Sequence, residues 1–196
     1  MNQEQIVKEI SLIKNMIERT RREAADSGDI FIFIGTGCVI YIAVIMILNM
    51  LNLSQWILKA MIIMTIIMGI LGYLIIGRKE KKEKVISYPK TLCYMIIVFC
   101  CFAMLLTGFL FPLTHVYPWD IAPIFSAILF GIMLFSTAVI YQLSFFYWSA
   151  IISWIGACLM AYLEGAIDGI IMIVILLAGF IIPGIILNRR YKNGSK

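Results

Sequence analysis

Six apolar runs, each about as long as a bilayer is thick, constrain this chain more than any other feature. They cover residues 30–51, 56–77, 92–113, 121–143, 144–163 and 169–188, and Lys59 is the one charged residue inside them. A helix needs about 20 residues to cross a hydrocarbon core of roughly 30 Å. Backbone polar groups in lipid must be satisfied within the fold, which leaves only helices or closed barrels. Barrel strands would alternate in polarity over about 10 residues, whereas these runs are continuous and longer. The expected fold is therefore all-α, a polytopic transmembrane bundle of six spans. With 62% apolar residues, 14% charged residues and a mean hydropathy of +0.98, the composition lies well outside that of a soluble domain.

Lys and Arg set the expected orientation, because in short loops they are retained on the cytoplasmic side. Lys8, Lys14, Arg19, Arg21 and Arg22 precede the first run. Arg78, Lys79, Lys81, Lys82, Lys84 and Lys90 lie between the second and third, and Arg189, Arg190, Lys192 and Lys196 form a basic tail over 189–196. An even number of spans puts all of these on one side, which predicts a multi-pass protein of a cell inner membrane with both termini cytoplasmic. Lys59 is left at the other side, where its long stem can snorkel to the interface beside Trp56. The net charge of +5 then reports topology and attraction to anionic lipid rather than nucleic-acid binding. The first span serves as the expected targeting signal, since no small-residue cleavage site follows it.

Residues 1–29 form the expected cytoplasmic segment, an amphipathic helix and a connector. Ile6, Ile10, Ile13 and Ile17 recur at helical spacing, while Glu4 with Lys8 and Glu18 with Arg22 make favourable i,i+4 pairs. Ser27-Gly28-Asp29 reads as a break before the first span. Three readings of the Ile stripe compete: it lies on the lipid bilayer, packs under the bundle, or seals against a second copy or a protein partner through residues 1–25. Five basic and six acidic residues argue against purely electrostatic lipid binding.

Within the membrane, helices associate by close packing, which favours small residues at contacts. The fifth span carries Ser149, Ser153, Ala157 and Ala161 at fourfold spacing, the fourth Ala127 with Gly131, and the second Thr65 with Gly69. Pro123 and Pro183 are expected to kink the fourth and sixth spans. Cys38, Cys93, Cys100, Cys101 and Cys158 all fall inside spans, unlike a loop-borne disulfide set, and read as free thiols acting as small hydrophobes. Cys93 and Cys100, seven apart, share a helix face, and Met61, Met64 and Met68 make a comparable stripe on the second span, which would also suit a Cu(I) path, but no CxxC or Met-rich extramembrane loop accompanies them. A single histidine excludes bis-His haem within one chain, and no cofactor is expected.

The remaining ionisable residues gather on the side opposite the basic loops: Lys59, His115, Asp120, Glu164 and Asp168. If the turn into the sixth span is helical, Glu164 and Asp168 share a face and could bind a cation with Asp120 as a further oxygen ligand. They read equally as solvated residues or as acidic groups placed at a helix N-terminus. HExxH, GxSxG and P-loop patterns are absent, so an enzyme is not expected.

The stretch Ile13-Lys-Asn-Met-Ile-Glu-Arg-Thr20 leading through Ser27-Gly28, with Ile182-Pro-Gly-Ile-Ile-Leu-Asn-Arg-Arg190, resembles small uncharacterised bacterial multi-pass membrane proteins. That resemblance implies a bacterial inner membrane and brings no activity or site residues with it. Two functional classes are carried forward. One is a non-enzymatic sensor, regulatory or scaffold module working through its N-terminal helix. The other is a small transporter or channel subunit, against which stands the lack of a clear sequence repeat between hairpins.

Overall fold

A computed structural model describes residues 3–80, 88–163 and 167–189. Helix α1 spans Gln3–Met50 and α2 spans Ser54–Glu80. Helix α3 begins as Tyr88–Leu105, passes through a π-helical segment, Leu106–Leu110, and closes with the turn Phe111–Leu113. Helix α4, Ala122–Tyr141, is entered through a 3-10 turn, Trp119–Ile121. Helix α5 is Ser144–Leu163. Helix α6 is Asp168–Leu176, a π-helical segment Leu177–Ile181, and Ile182–Leu187. Each contains one segment long and apolar enough to cross a membrane: Gly28–Met50, Gln55–Ile75, Thr91–Leu113, Trp119–Tyr141, Ser144–Leu163 and Asp168–Leu187. The six runs read from sequence match these segments to within two residues at every end.

Two local expectations are corrected. The helix does not break at Ser27-Gly28-Asp29, because α1 carries its hydrogen-bonding through them as one 48-residue helix. Gly28 has a packing role there instead. Pro123 does not kink the fourth span either. It sits in the first turn of α4, where no intrahelical N–H is required and proline is tolerated without distortion.

Three helices end on a non-glycine residue in the left-handed region: Asn52 after α1 (φ 54°), His115 after α3 (φ 59°) and Gln142 after α4 (φ 52°). In each case the next N–H reaches back five residues. Leu53 donates to Leu48 (3.0 Å), Val116 to Phe111 (3.0 Å) and Leu143 to Ala138 (3.3 Å). This is the Schellman pattern, which satisfies a carbonyl that the helix end would orphan, with an apolar residue following the left-handed one. Since successive spans reverse direction, the Asn52 and His115 turns share one end of the bundle. Gln142 lies at the other, together with Gly28 and Leu187.

Helices α1, α3, α4, α5 and α6 make the core, with Cys93, Ile97 and Cys100 supplied by α3, and the rings of Phe31, Phe130, Phe146 and Phe180 meet within it. Centroids lie 5.1 Å apart for Phe31–Phe146, 6.3 Å for Phe31–Phe180 and 5.0 Å for Phe130–Phe180. At the Gln142 end α1 and α6 cross backbone to backbone. A Cβ on Gly184 would stand 3.0 Å from the Gly28 carbonyl and 2.7 Å from Ile32, and one on Gly28 would stand 3.1 Å from the Gly184 carbonyl. Asn188 closes that crossing by donating from Nδ2 to Asp29 Oδ1 at 2.7 Å.

Each half of the chain follows one plan: a helical hairpin, then a third helix that packs on the first helix of the other half. Thus α3 lies on α4 and α6 lies on α1. The halves are not equally sealed. Over 18-residue stretches of the α4, α5 and α6 spans, 44%, 39% and 44% of residues are buried, against 17%, 6% and 17% for α1, α2 and α3. The cause is α2, whose extensive packing is confined to α1, whereas α5 packs along α4 and against α6 as well.

Candidate functional site

The polar residues singled out at the Asn52 end take up separate local roles. Lys59 is exposed with its Nζ 4.7 Å from the Trp56 ring centroid, a cation–π contact suited to an interfacial lysine. His115 is exposed and acts through its backbone as the left-handed terminator of α3, its N–H donating to the Pro112 carbonyl at 3.1 Å. Asp120 is exposed in the turn before α4. Asp168 occupies the first turn of α6 and is buried, where the helix dipole favours a carboxylate. Glu164 lies outside the described residues. Among the described residues, no group of three His, Cys, Asp or Glu side chains could hold a metal ion.

The packing stripe of the fifth span is largely buried. Ser149, Ser153 and Ala157 face the core, while Ala161 is exposed because the stripe runs out of neighbours at its end. Ser153 Oγ donates to the Ala127 carbonyl of α4 at 3.1 Å, and Gly131 leaves room for the Trp154 indole. The expected stripe on the second span is different: Thr65 is exposed, its hydroxyl bonds back to the Met61 carbonyl at 2.8 Å, and nothing lies within 4 Å of a Cβ placed on Gly69. Thr65 still meets Tyr41 of α1 through a side-chain hydrogen bond, so only the Gly69 part of the stripe lacks a neighbour. Met68 fills the space beside Gly37, so part of the methionine stripe serves as packing, and all five cysteines are free. Of the Ile stripe, Ile10 is 59% exposed, and the side chains of Ile6, Ile13 and Ile17 lie outside the described residues.

A feature that residue-by-residue reading missed is a repeated heptapeptide, Leu106-Thr-Gly-Phe-Leu-Phe-Pro112 in α3 and Leu177-Ala-Gly-Phe-Ile-Ile-Pro183 in α6. Both copies become π-helical over their first five residues. The N–H before the proline reaches back five positions, from Phe111 to Leu106 and from Ile182 to Leu177. The second carbonyl of each copy is thereby orphaned. Its i+4 donor is already engaged and its i+5 partner is proline, which has no N–H. In lipid such a carbonyl needs another donor, and each has one. Tyr117 Oη donates to the Thr107 carbonyl, and Ser149 Oγ shares its one proton between the Ala178 carbonyl and the Phe145 carbonyl of its own helix, each at 3.1 Å. Partial burial pushes the Tyr117 phenol above its ordinary range. The shared Leu-x-Gly-Phe-x-x-Pro pattern was the available signal, and seven residues in a strongly apolar chain conceal it well.

The apolar shelf on α5 formed by Ile151, Trp154, Ile155, Cys158 and Leu159 is open and has almost no polar lining, so nothing there fixes the orientation of a ligand. Fold and polar inventory together define an all-helical protein with, among the described residues, six helices able to cross a membrane and two proline-linked π-segments. Compared with known proteins, the chain matches no family model, no curated protein and no solved structure.

Proposed function

We propose that the chain is a non-enzymatic membrane module of the sensor, regulatory or scaffold kind, which self-associates or binds a partner through its N-terminal helix. Both termini face the cytoplasm of a bacterial cell, by the distribution of Lys and Arg. The observation that carries this reading is the continuity of α1 from Gln3 to Met50. At about 1.5 Å per residue, the part before Gly28 makes a lever that extends well past the bundle. No hinge separates it from the span that crosses α6 at Gly28 and Gly184. A load on the lever is therefore passed to the core. The exposure of Ile10 leaves at least that part of the Ile stripe open to a partner. Replacing Ile10 and Ile13 by Asp in the full chain tests it: particle size in mild detergent and cross-linking in native membranes should fall to the monomer with insertion intact. Unchanged assembly rejects the proposal.

A second reading, a small transporter, is favoured by the Gly- and Pro-interrupted helices α3 and α6. Interrupted spans at corresponding positions of two halves often border a substrate path. Solute flux through reconstituted vesicles that responds to Asp168→Asn and survives the Ile10 and Ile13 changes would select it over the first.

A further inference from the structure

The two hairpins start their second helices from the same turn. After Asn52, Leu53 donates to Leu48 and Trp56 to Leu53. After Gln142, Leu143 donates to Ala138 and Phe146 to Leu143. Both turns read Leu-Ser at the entry to the helix, Leu53-Ser54 and Leu143-Ser144. This fixes a register of equivalence between α2 and α5, ninety positions apart by sequence number, in which Lys59 corresponds to Ser149. The buried stripe by which α5 seals into the bundle is Ser149, Ser153, Gly156 and Met160: Ser149 bonds Ala178 of α6, Ser153 bonds Ala127 of α4, and Ile175 and Ile171 of α6 pack against Gly156. Its counterpart on α2 is Lys59, Ile63, Ile66 and Ile70, and all four are exposed, the three isoleucines each by more than half. Bare apolar residues in a span are ordinarily lipid-facing. What distinguishes these is that the same register positions in the other half are a sealed helix contact.

Helix α3, the next helix of that half, has a bare stripe of its own, Met95, Val98, Phe99 and Phe102, also each more than half exposed. The stripes run antiparallel, with Lys59 toward the end that holds Thr107 and Ile70 toward the end that holds Met95.

We propose that α2 closes on α3 in a second arrangement of the bundle, with Ile63, Ile66 and Ile70 against Phe102, Phe99 and Met95. Lys59 then meets the Thr107 carbonyl as Ser149 meets that of Ala178. The two halves are thus inverted copies of one three-helix unit, caught with one copy closed and the other open. Related halves of opposite direction can exchange such states by rigid rocking of their helices. Tyr117 holds the Thr107 carbonyl in the open state, and Lys59 replaces it on closure. This inference stands apart from the proposed partner helix, since it concerns only residues inside the bundle.

The test is a disulfide trap in the full chain, in native membranes, with the five native cysteines replaced by alanine and Ile66→Cys combined with Phe99→Cys. Under mild oxidant an intramolecular bond should form, detected as a monomer whose two fragments stay joined after proteolysis between α2 and α3. It should form roughly tenfold faster than in a Met64→Cys with Phe99→Cys control, whose cysteine lies on the opposite, α1-facing side of α2. Bonding only between chains overturns the proposal and assigns the stripe to a second copy, while no bonding in either pair leaves the face to lipid and overturns it too. If the cysteine-free chain does not fold, a photo-cross-linking phenylalanine analogue at Ile66 in the otherwise unaltered chain gives the same decision. Attachment to the α3 peptide of the same molecule supports closure, and attachment to lipid or to another chain refutes it.

Discussion

Helices α2 and α5 leave the same kind of turn and have similar span lengths, yet 6% of an 18-residue stretch of one span is buried and 39% of the other. Neither apolar content nor helical propensity explains this. The difference comes from what each helix offers its neighbours. Helix α5 presents hydroxyls and small residues at the depths where α4 and α6 have a carbonyl to satisfy or a ring to seat, and α2 presents isoleucines and a lysine. In lipid, where apolar burial supplies no net drive between helices, such complementary packing decides which helices associate. The C-terminal half is accordingly the more deeply buried half of the molecule.

The sharpest challenge to that contrast is at the paired motif phenylalanines. Phe180 is fully buried among the rings of Phe31 and Phe130, so Phe180→Ala should cost about 4 kcal/mol in unfolding from mixed micelles. Phe109, half-buried against Trp119 at 6.4 Å, should lose clearly less on the same change. Equal losses would mean that both halves are equally packed. Next in size is the glycine pair. Gly184→Leu forces a side chain into the Gly28 carbonyl and Ile32 and should cost about 3 kcal/mol, whereas Gly69→Leu in α2 should stay within about 0.5 kcal/mol. A large loss at Gly69 would reveal a neighbour there that the open arrangement lacks.

Smaller effects probe the two orphaned carbonyls. Ser149→Ala and Tyr117→Phe each remove one hydroxyl donor and should each cost about 1 kcal/mol, with faster amide exchange confined to the π-segment concerned. Exchange that spreads through the whole bundle in either variant would contradict a local role. The smallest predicted effect tests the equivalence of the two turns. Asn52→Gly and Gln142→Gly relieve a left-handed non-glycine residue and should both leave stability unchanged or raise it by about 0.5 kcal/mol. Opposite signs at the two sites would break the equivalence on which the closure of α2 rests.

Much of the fold was legible because crossing a bilayer is a local requirement. Whether residues 121–143 can span is decided by those residues alone, so the number, length and order of the spans followed from them. The same was true of Lys59 beside Trp56, neighbours on one helical turn. Faces were not legible. Thr65 with Gly69 and Ser149 with Ser153 look alike as small-residue stripes, and only the second is buried. A transmembrane helix is apolar on all sides, so no amphipathic pattern marks the side that will meet protein. The role of His115 was hidden for a related reason: its side chain drew attention, while its backbone does the work of ending α3.

By itself, then, the sequence determined that the described residues make six apolar helices long enough to cross a membrane, because length, hydropathy and terminating residues act within a few positions of one another. Tertiary structure alone decided that α5 is sealed and α2 is bare, that Gly28 meets Gly184, and that the carbonyls of Thr107 and Ala178 are answered by Tyr117 and Ser149. Each of those contacts joins atoms from separate turns or helices. Its energy depends on ångström-scale fit between surfaces of nearly identical composition, which composition cannot distinguish.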